Sequence, residues 1–254
     1  MLNLIGMGIR GVHSLTLQED EILKRSQKIY FEAYTSIAPE NTINDLESRY
    51  SKPVKPLTRS EVENPEKIIK ESLEETVSLI IVGDPLTATT HNQLRFEAEK
   101  YGVVVKCYEN ASIITAAFGY TGLFTYKMAP PISLPFPHEK FFPRSVYDKI
   151  SKNIENRMHS LILLDLNPGR GMKVSEAVKY LLEMEKNFGN GLLTEFRELI
   201  AISDLGHMDE KIVSGSFGSM ISYNGGRINC LIIPESPTED EVRFLSTFCK
   251  RLPI

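Results

Sequence analysis

The stretch Val82-Gly83-Asp84-Pro85-Leu86-Thr87-Ala88-Thr89-Thr90-His91 packs a tight turn, a carboxylate, a hydroxyl cluster and a helix start directly after an apolar run. Val77 to Val82 read as a short buried strand that Gly83 and Pro85 break. Thr89 or Thr90 then stands where it could cap an amphipathic helix through Leu94, Phe96 and Ala98. A loop at the carboxyl end of a strand is where open α/β sheets hold ligands. Taken alone, the segment is equally well a plain turn, since Pro presets φ and Asp bonds nearby amides.

Two further strand ends carry similar chemistry. Leu2 to Ile5 read as an apolar strand followed by Gly6-Met7-Gly8-Ile9-Arg10-Gly11, which formally matches the G-x-G-x-x-G dinucleotide fingerprint. That fingerprint needs a helix opening at the glycines. Here Val12 to Leu15 intervene, and Thr16 with Glu19 forms a separate capping box for a helix from Leu17 to about Ser26. Gly6 and Gly8 are therefore expected to let the backbone pass close to a ligand or a neighbouring loop. The third end follows a strand at Val103 to Tyr108. There Asn110 or Ser112 is placed to cap a helix of small and apolar residues, with Gly119 or Gly122 near its end.

Strand and helix signals alternate along the chain. After the first strand, helix and second strand come a polar, charged segment from Pro39 to Thr58, a helix from about Pro65 to Glu75, and the two strand-helix pairs already described. This order predicts a mainly parallel sheet covered by helices. Pro130, Pro131, Pro135, Pro137 and Pro143 then crowd a stiff connector, which places a domain break near Met128 and gives domains 1–128 and 129–254. The second half predicts helices at Val146 to Asn156, Val174 to Phe188, around Asp209 to Ile221, and Thr238 to Lys250. Its strands are expected at Leu161 to Leu166, near Leu199 to Ile202, and at Ile228 to Ile233. Both halves read as α/β.

Composition narrows the partners. A chain of 254 residues with 42% hydrophobic content suits one large or two modest domains with cores of their own. The net charge of −4 and interspersed signs supply no basic stripe for nucleic acid. No apolar run reaches membrane-spanning length and the start lacks a secretory pattern, so a cytoplasmic protein is expected. Cys107, Cys230 and Cys249 are few and far apart, as befits reduced thiols. The histidines, at 13, 91, 138, 159 and 207, form no metal-ligand pattern, and no metal site is expected. Ser214-Gly215-Ser216-Phe217-Gly218 has the outline of a nucleophile elbow, but the helix expected around it denies it the strand-turn-helix setting.

Five strings, taken together, resemble the diphthine synthase family in order and spacing across nearly the whole chain. They are Leu4-Ile5-Gly6-Met7-Gly8, Tyr30 to Ser36, Gly83-Asp84-Pro85 with Ala88-Thr89-Thr90-His91, Asn110-Ala111-Ser112-Ile113, and His159-Ser160-Leu161 through Leu164-Asp165-Leu166. The resemblance implies two α/β domains of the tetrapyrrole methylase type, with S-adenosylmethionine in the cleft between them, and a homodimer. Its cofactor positions would fall on Ile9, Asp84, Thr87, Ser112 and Ile113 in the first half and on Leu164, Leu205 and Asn229 in the second. Asp84 is the side chain expected to matter first, while the last three would act mostly through backbone atoms. The implied substrate is translation elongation factor 2 bearing a histidine extended by a 3-amino-3-carboxypropyl group. Its amino group would be methylated three times to give diphthine. Arg144, Arg170 and Lys173 are candidate docking residues for that partner.

The chemistry asks little of catalytic side chains. A sulfonium methyl is already activated, so positioning is the main device. An amine of α-amino type, with a pKa near 8, costs only about 1 kcal/mol to deprotonate at pH 7. No catalytic residue is therefore assigned. The sequence departs from the family pattern at Ser203-Asp204-Leu205-Gly206, where an anion stands in place of the usual cation, and at Asn229, where histidine is common. The loop Asn167 to Met172 is also short. Other readings are a methyltransferase of the same fold acting on a tetrapyrrole or another small acceptor, a nicotinamide-dependent oxidoreductase using Glu32 on a ribose, and a binding module without turnover.

Overall fold

The computed structural model describes residues 1–32, 34, 36–138, 142–167, 170–189 and 191–253. Of the resemblance strings, positions 33 and 35 lie outside the described residues, as do positions 168 and 169 of the short loop. The chain forms two compact units, Met1–Ile113 and Ile114–Ile254. The break expected near Met128 falls inside the second unit. There Met128 bridges to His159, the Ala129 amide donates to the His159 carbonyl at 3.0 Å, and the Lys127 ammonium donates to the Ser236 carbonyl at 2.6 Å. The segment ahead of the prolines is thus tied to strands that come later, and the division precedes it.

The first unit runs β1 (Leu2–Gly6), a 3-10 turn (Gly11–Ser14), α1 (Leu17–Arg25), β2 (Lys28–Glu32), α2 (Thr42–Tyr50), β3 (Val54–Leu57), α3 (Arg59–Glu63), α4 (Glu66–Glu74), β4 (Val77–Ile81), α5 (His91–Lys100) and β5 (Val105–Tyr108). Its sheet has the order β3-β2-β4-β1-β5, with every pairing parallel. Alternate residues feed two cores. Leu2, Leu4, Leu79 and Ile81 pack with Ile68 and Ile69 of α4 and Leu94 of α5, while Ile5, Ile29, Phe31 and Ile80 pack with Leu23 of α1 and Leu46 and Tyr50 of α2. Burial on both faces is what a parallel sheet requires.

The capping box at α1 forms as expected: the Thr16 amide donates to Glu19 Oε2 at 2.6 Å, and the Glu19 amide donates to Thr16 Oγ1 at 3.3 Å. The segment Pro39 to Thr58, expected only as polar chain, holds α2 and β3. Its charges hide an apolar stripe of Leu46 and Tyr50, and β3 is an edge strand, where Pro56 is tolerated because one side needs no ladder donor.

The second unit opens within α6 (Ile113–Thr121), which starts on the last residue of the first unit, and continues with a 3-10 turn (Thr125–Lys127), β6 (Ile132–Leu134), α7 (Arg144–Glu155), β7 (Ser160–Leu164), β8 (Leu166–Asn167) and β9 (Arg170–Gly171). Then come α8 (Val174–Phe188), β10 (Glu198–Ser203), β11 (Lys211–Ser216), α9 (Phe217–Met220), β12 (Asn229–Ile233), α10 (Glu239–Phe248) and β13 (Lys250–Arg251). The main sheet, β13-β11-β10-β12-β7-β6, is mixed: β10 is antiparallel to β11 and β12, β12 is antiparallel to β7, and the pairs β6-β7 and β11-β13 are parallel. Leu199, Ala201, Leu231 and Ile233 meet α7 and α8 through Tyr147, Ile150, Ala177 and Leu181.

The helix expected around Asp209 to Ile221 is not there. Lys211–Ser216 instead pairs with β10 and β13, and only Phe217–Met220 is helical. The glycine and serines that spoil a helix are easily borne by a strand with a neighbour on each side. Ser214-Gly215-Ser216 therefore does sit at a strand-to-helix turn, contrary to expectation. Ser216 serves there as the helix cap, accepting the Ser219 amide at 3.2 Å.

Candidate functional site

In the first unit β1 lies between β4 and β5, so the loops leaving these three strands emerge side by side at one sheet edge. The first two loops pair as a short ladder: the Gly8 amide donates to the Gly83 carbonyl at 3.1 Å and the Gly83 amide donates back at 2.9 Å. This closeness depends on glycine. A β-carbon on Gly6 would stand 2.7 Å from the Gly83 carbonyl oxygen, and one on Gly8, whose φ is +64°, would stand 2.7 Å from Asn110 Oδ1.

Asp84 binds its own loop and the third one. Its Oδ1 accepts the Leu86 amide at 2.9 Å and the Thr87 hydroxyl at 2.7 Å, and its Oδ2 accepts the Asn110 amide at 3.3 Å. Asn110 closes the set. Its Nδ2 donates to the carbonyls of Gly6 and Ser14, each at 3.0 Å, and to Glu19 Oε2 at 3.1 Å. Burial pushes the Glu19 carboxyl upward, against the donors of Thr16 and Asn110. A 3-10 turn runs from Gly11 to Ser14 and the α-helix after the first glycines opens only at Leu17, so the dinucleotide fingerprint lacks the α-helix start at its glycines on which it depends.

Ile9, Asp84, Thr87, Ser112 and Ile113 thus gather at this edge, with Thr87 exposed and the other four half-buried. The remaining expected positions gather at an edge of the second sheet. Leu164 ends β7, Asn229 opens β12 opposite Ser203, and Leu205 follows β10; because these neighbours run antiparallel, the three ends coincide. All three residues are buried. The Asn229 carboxamide is fully used: Nδ2 donates to the Met172 and Gly226 carbonyls at 3.0 and 3.1 Å, and Oδ1 accepts the Ser203 hydroxyl at 2.7 Å and the Gly226 amide at 2.8 Å. Any ligand contact by Asn229 is therefore left to its backbone.

The sequence model described as Tetrapyrrole (Corrin/Porphyrin) Methylases matches residues 1–221. A diphthine synthase of Thermoplasma acidophilum is 41% identical over 249 residues, covering 98% of this chain and 95% of the relative. One of Methanocaldococcus jannaschii is 35% identical, covering 96% of this chain and 98% of its own.

The chain belongs to the tetrapyrrole methylase family, in its diphthine synthase group.

A solved diphthine synthase structure superposes with a TM-score of 0.88 at 25% identity, covering 98% of this chain and 96% of that one. The fold is thus the tetrapyrrole methylase fold, and the chain is a methyltransferase.

Against that family frame, the departure at Asp204 has a local cause. Its Oδ1 accepts the amides of Arg227 and Ile228 at 3.0 and 3.1 Å, with Asp204 itself at a φ of +50°. A β-carbon on Gly226 would fall 1.9 Å from Asp204 Oδ2. The anion therefore builds the turn ahead of β12, which a cation could not do.

Sequence reasoning missed Asn110 as a three-way tie, treating it as a cap. Thr89 or Thr90 was likewise expected as a cap; Thr90 occupies that position without a side-chain bond to the helix amides, and Thr89 Oγ1 lies 2.6 Å from His91 Nδ1 instead. Of the docking candidates, Arg144 pairs with Asp148 at 3.5 Å, and Arg170 pairs with Glu176 at 2.6 Å and lies over Phe136. The described residues contain no group of three or more His, Cys, Asp or Glu able to hold a metal, and no helix long and apolar enough to cross a membrane. Burial raises all three thiols, that of Cys230 to about 12 and that of Cys249 to about 11.

Proposed function

We propose that this methyltransferase uses S-adenosylmethionine to methylate, three times, the amino group of the 3-amino-3-carboxypropyl-histidine of translation elongation factor 2, forming diphthine. The observation that carries the reading is the loop edge of the first unit, built from the same motifs that liken the chain to diphthine synthases over 98% of its length. The donor set suits the cofactor's amino-acid tail and ribose: carbonyls and amides of irregular loops, the Thr87 and Ser112 hydroxyls and the Asp84 carboxylate. Gly83, with a φ of +80°, leaves room beside them, since a β-carbon there would meet nothing nearer than the Ala111 carbonyl at 3.9 Å.

When bound, the cofactor supplies a methyl group on a sulfonium, ready for displacement by a lone pair. Ile9, Asp84, Thr87, Ser112 and Ile113 would bind and orient it, with Leu164, Leu205 and Asn229 adding backbone and apolar contacts. The acceptor amine needs no strong base, so the protein's work is orientation. We assign the enzyme as a cytoplasmic homodimer, with Arg144, Arg170 and Lys173 as its docking cations. The test is incubation with labelled S-adenosylmethionine and elongation factor 2 carrying the unmethylated extension. Label is expected on the factor at three methyl groups per chain; no label beside an active control enzyme would overturn the assignment.

A further inference from the structure

At the edge of the second sheet that holds Leu164, the parallel strands β6 and β7 end in register, Leu134 beside Leu164. Phe136 follows the first strand and Asp165 the second, and the two are tied. The Asp165 amide donates to the Leu134 carbonyl at 3.1 Å, while Asp165 Oδ2 accepts the Phe136 amide at 3.2 Å and Oδ1 accepts that of Leu166 at 2.9 Å. Asp165 is exposed, and each of its oxygens has a further lone pair to offer. Phe136 is half-buried, packed against the core of the second unit, and its ring already carries a cation: the Arg170 guanidinium lies 4.8 Å from the centroid. Glu176 pairs with that guanidinium at 2.6 Å. An exposed guanidinium is weakly held on a ring, and Glu176 can keep Arg170 paired when it leaves.

We propose that Phe136 and Asp165 form the seat of the acceptor's ammonium group, and that Arg170 occupies the ring until the acceptor displaces it. The inference rests on the trimethylation proposed for this enzyme. In each round the nitrogen's lone pair forms the bond to the incoming methyl as the carbon–sulfur bond breaks, sulfur keeps that bond's pair, and the positive charge passes to nitrogen. After the first and second rounds the nitrogen sheds a proton to solvent; after the third it has none left. The final group is a quaternary cation that donates no hydrogen bond. An aromatic face attracts such a cation through the ring quadrupole, and a neighbouring carboxylate balances its charge. Earlier stages still carry N–H groups for Asp165 to accept. Phe136 is therefore the residue that decides the third methyl.

The test titrates tetramethylammonium, with tert-butanol as an uncharged probe of similar size, into the full-length chain and follows the Phe136 ring by NMR. Tetramethylammonium should move the ring resonances and tert-butanol should not. Arg170→Gln, which uncovers the ring, should tighten tetramethylammonium by about two- to fivefold. Asp165→Asn should weaken it by about the same factor. A ring that tetramethylammonium leaves unmoved, or moves no more than tert-butanol does, overturns the proposal. The second arm is mass spectrometry of elongation factor 2 carrying the unmethylated extension. Phe136→Leu should slow the third methylation by about fivefold or more, so that dimethylated factor accumulates, while S-adenosylhomocysteine binds within about twofold of wild type. Phe136→Tyr keeps the ring and should restore the trimethylated product. Normal circular dichroism separates an altered seat from an unfolded chain. If the wild type leaves the factor unmethylated, the parent assignment fails. If the wild type adds three methyl groups and folded Phe136→Leu adds them at the same rates, the seat alone is wrong.

Discussion

Asn110 and Gly6 fit against each other: the Asn110 Nδ2 donates to the Gly6 carbonyl at 3.0 Å, and Asn110 Cβ lies 2.9 Å from where a β-carbon on residue 6 would stand. The two positions are 104 residues apart in sequence. Gly6→Ala should therefore cost about 1 to 3 kcal/mol by overpacking and weaken cofactor binding. Gly119→Ala is the matched control, since nothing lies within 4 Å of its β-carbon in α6. It should stabilise by about 0.5 to 1 kcal/mol. Urea unfolding of both variants checks the pair.

Asn110→Ala removes one donor group that serves two carbonyls and Glu19, and it should lower stability by about 2 kcal/mol. Asn110→Asp should be worse, because it sets a carboxylate beside those acceptors. Equilibrium unfolding should rank the variants wild type, Ala, Asp from most to least stable.

Asp84 and Asp204 both bracket turns at strand ends, yet they should separate by function. Asp204→Ala leaves the Arg227 and Ile228 amides without their acceptor and should cost about 2 kcal/mol of stability. Asp204→Arg should cost more, since a guanidinium cannot accept. Asp84→Ala should show its larger effect in calorimetric titration with S-adenosylhomocysteine.

The buried pair His159 and Glu241 makes the second unit acid-sensitive. Burial lowers the His159 pKa against the pull of Glu241, and the ring stays neutral, with Nδ1 accepting the Glu235 amide at 2.9 Å and Nε2 donating to Glu241 at 2.9 Å. Below the ordinary histidine value the unfolded chain takes up a proton that the folded one refuses, so stability falls as pH drops. Burial alone would raise the Glu241 carboxyl, but the Phe124 and Thr238 amides, His159 and Lys127 bring it down to about 2. Its contribution is full above its unfolded pKa near 4.5 and is lost as pH falls toward 2, on the order of 3 kcal/mol in all. Glu241→Gln should be less stable at neutral pH and show a flatter acid limb in unfolding measured between about pH 5 and pH 2.

Local patterns carried far where one element's own chemistry sufficed. The helix Val174–Phe188 has the bounds its apolar spacing predicts, and Thr16 with Glu19 caps α1 as their spacing requires. The interposed turn that separates the first glycines from a helix was also legible. Failures came where a partner far along the chain overruled local propensity. Lys211–Ser216 looks helical within the run to Ile221 and becomes a strand because β10 and β13 flank it. Val54–Leu57, with lysine and proline, becomes a strand only because β2 offers an edge.

By itself the sequence determined the alternation of elements, the kinship to diphthine synthases and the three loops that carry Ile9, Asp84 and Ser112, because each rests on residues close together in the chain. Only the tertiary structure decided what joins those loops. Asn110 reaches back to Gly6 and Glu19, Asp204 holds the turn before Asn229, and His91 meets Glu32, contacts set by which strands lie side by side in the sheet. Strand order is a long-range choice that depends on the pairing of distant segments, and no local spacing encodes it.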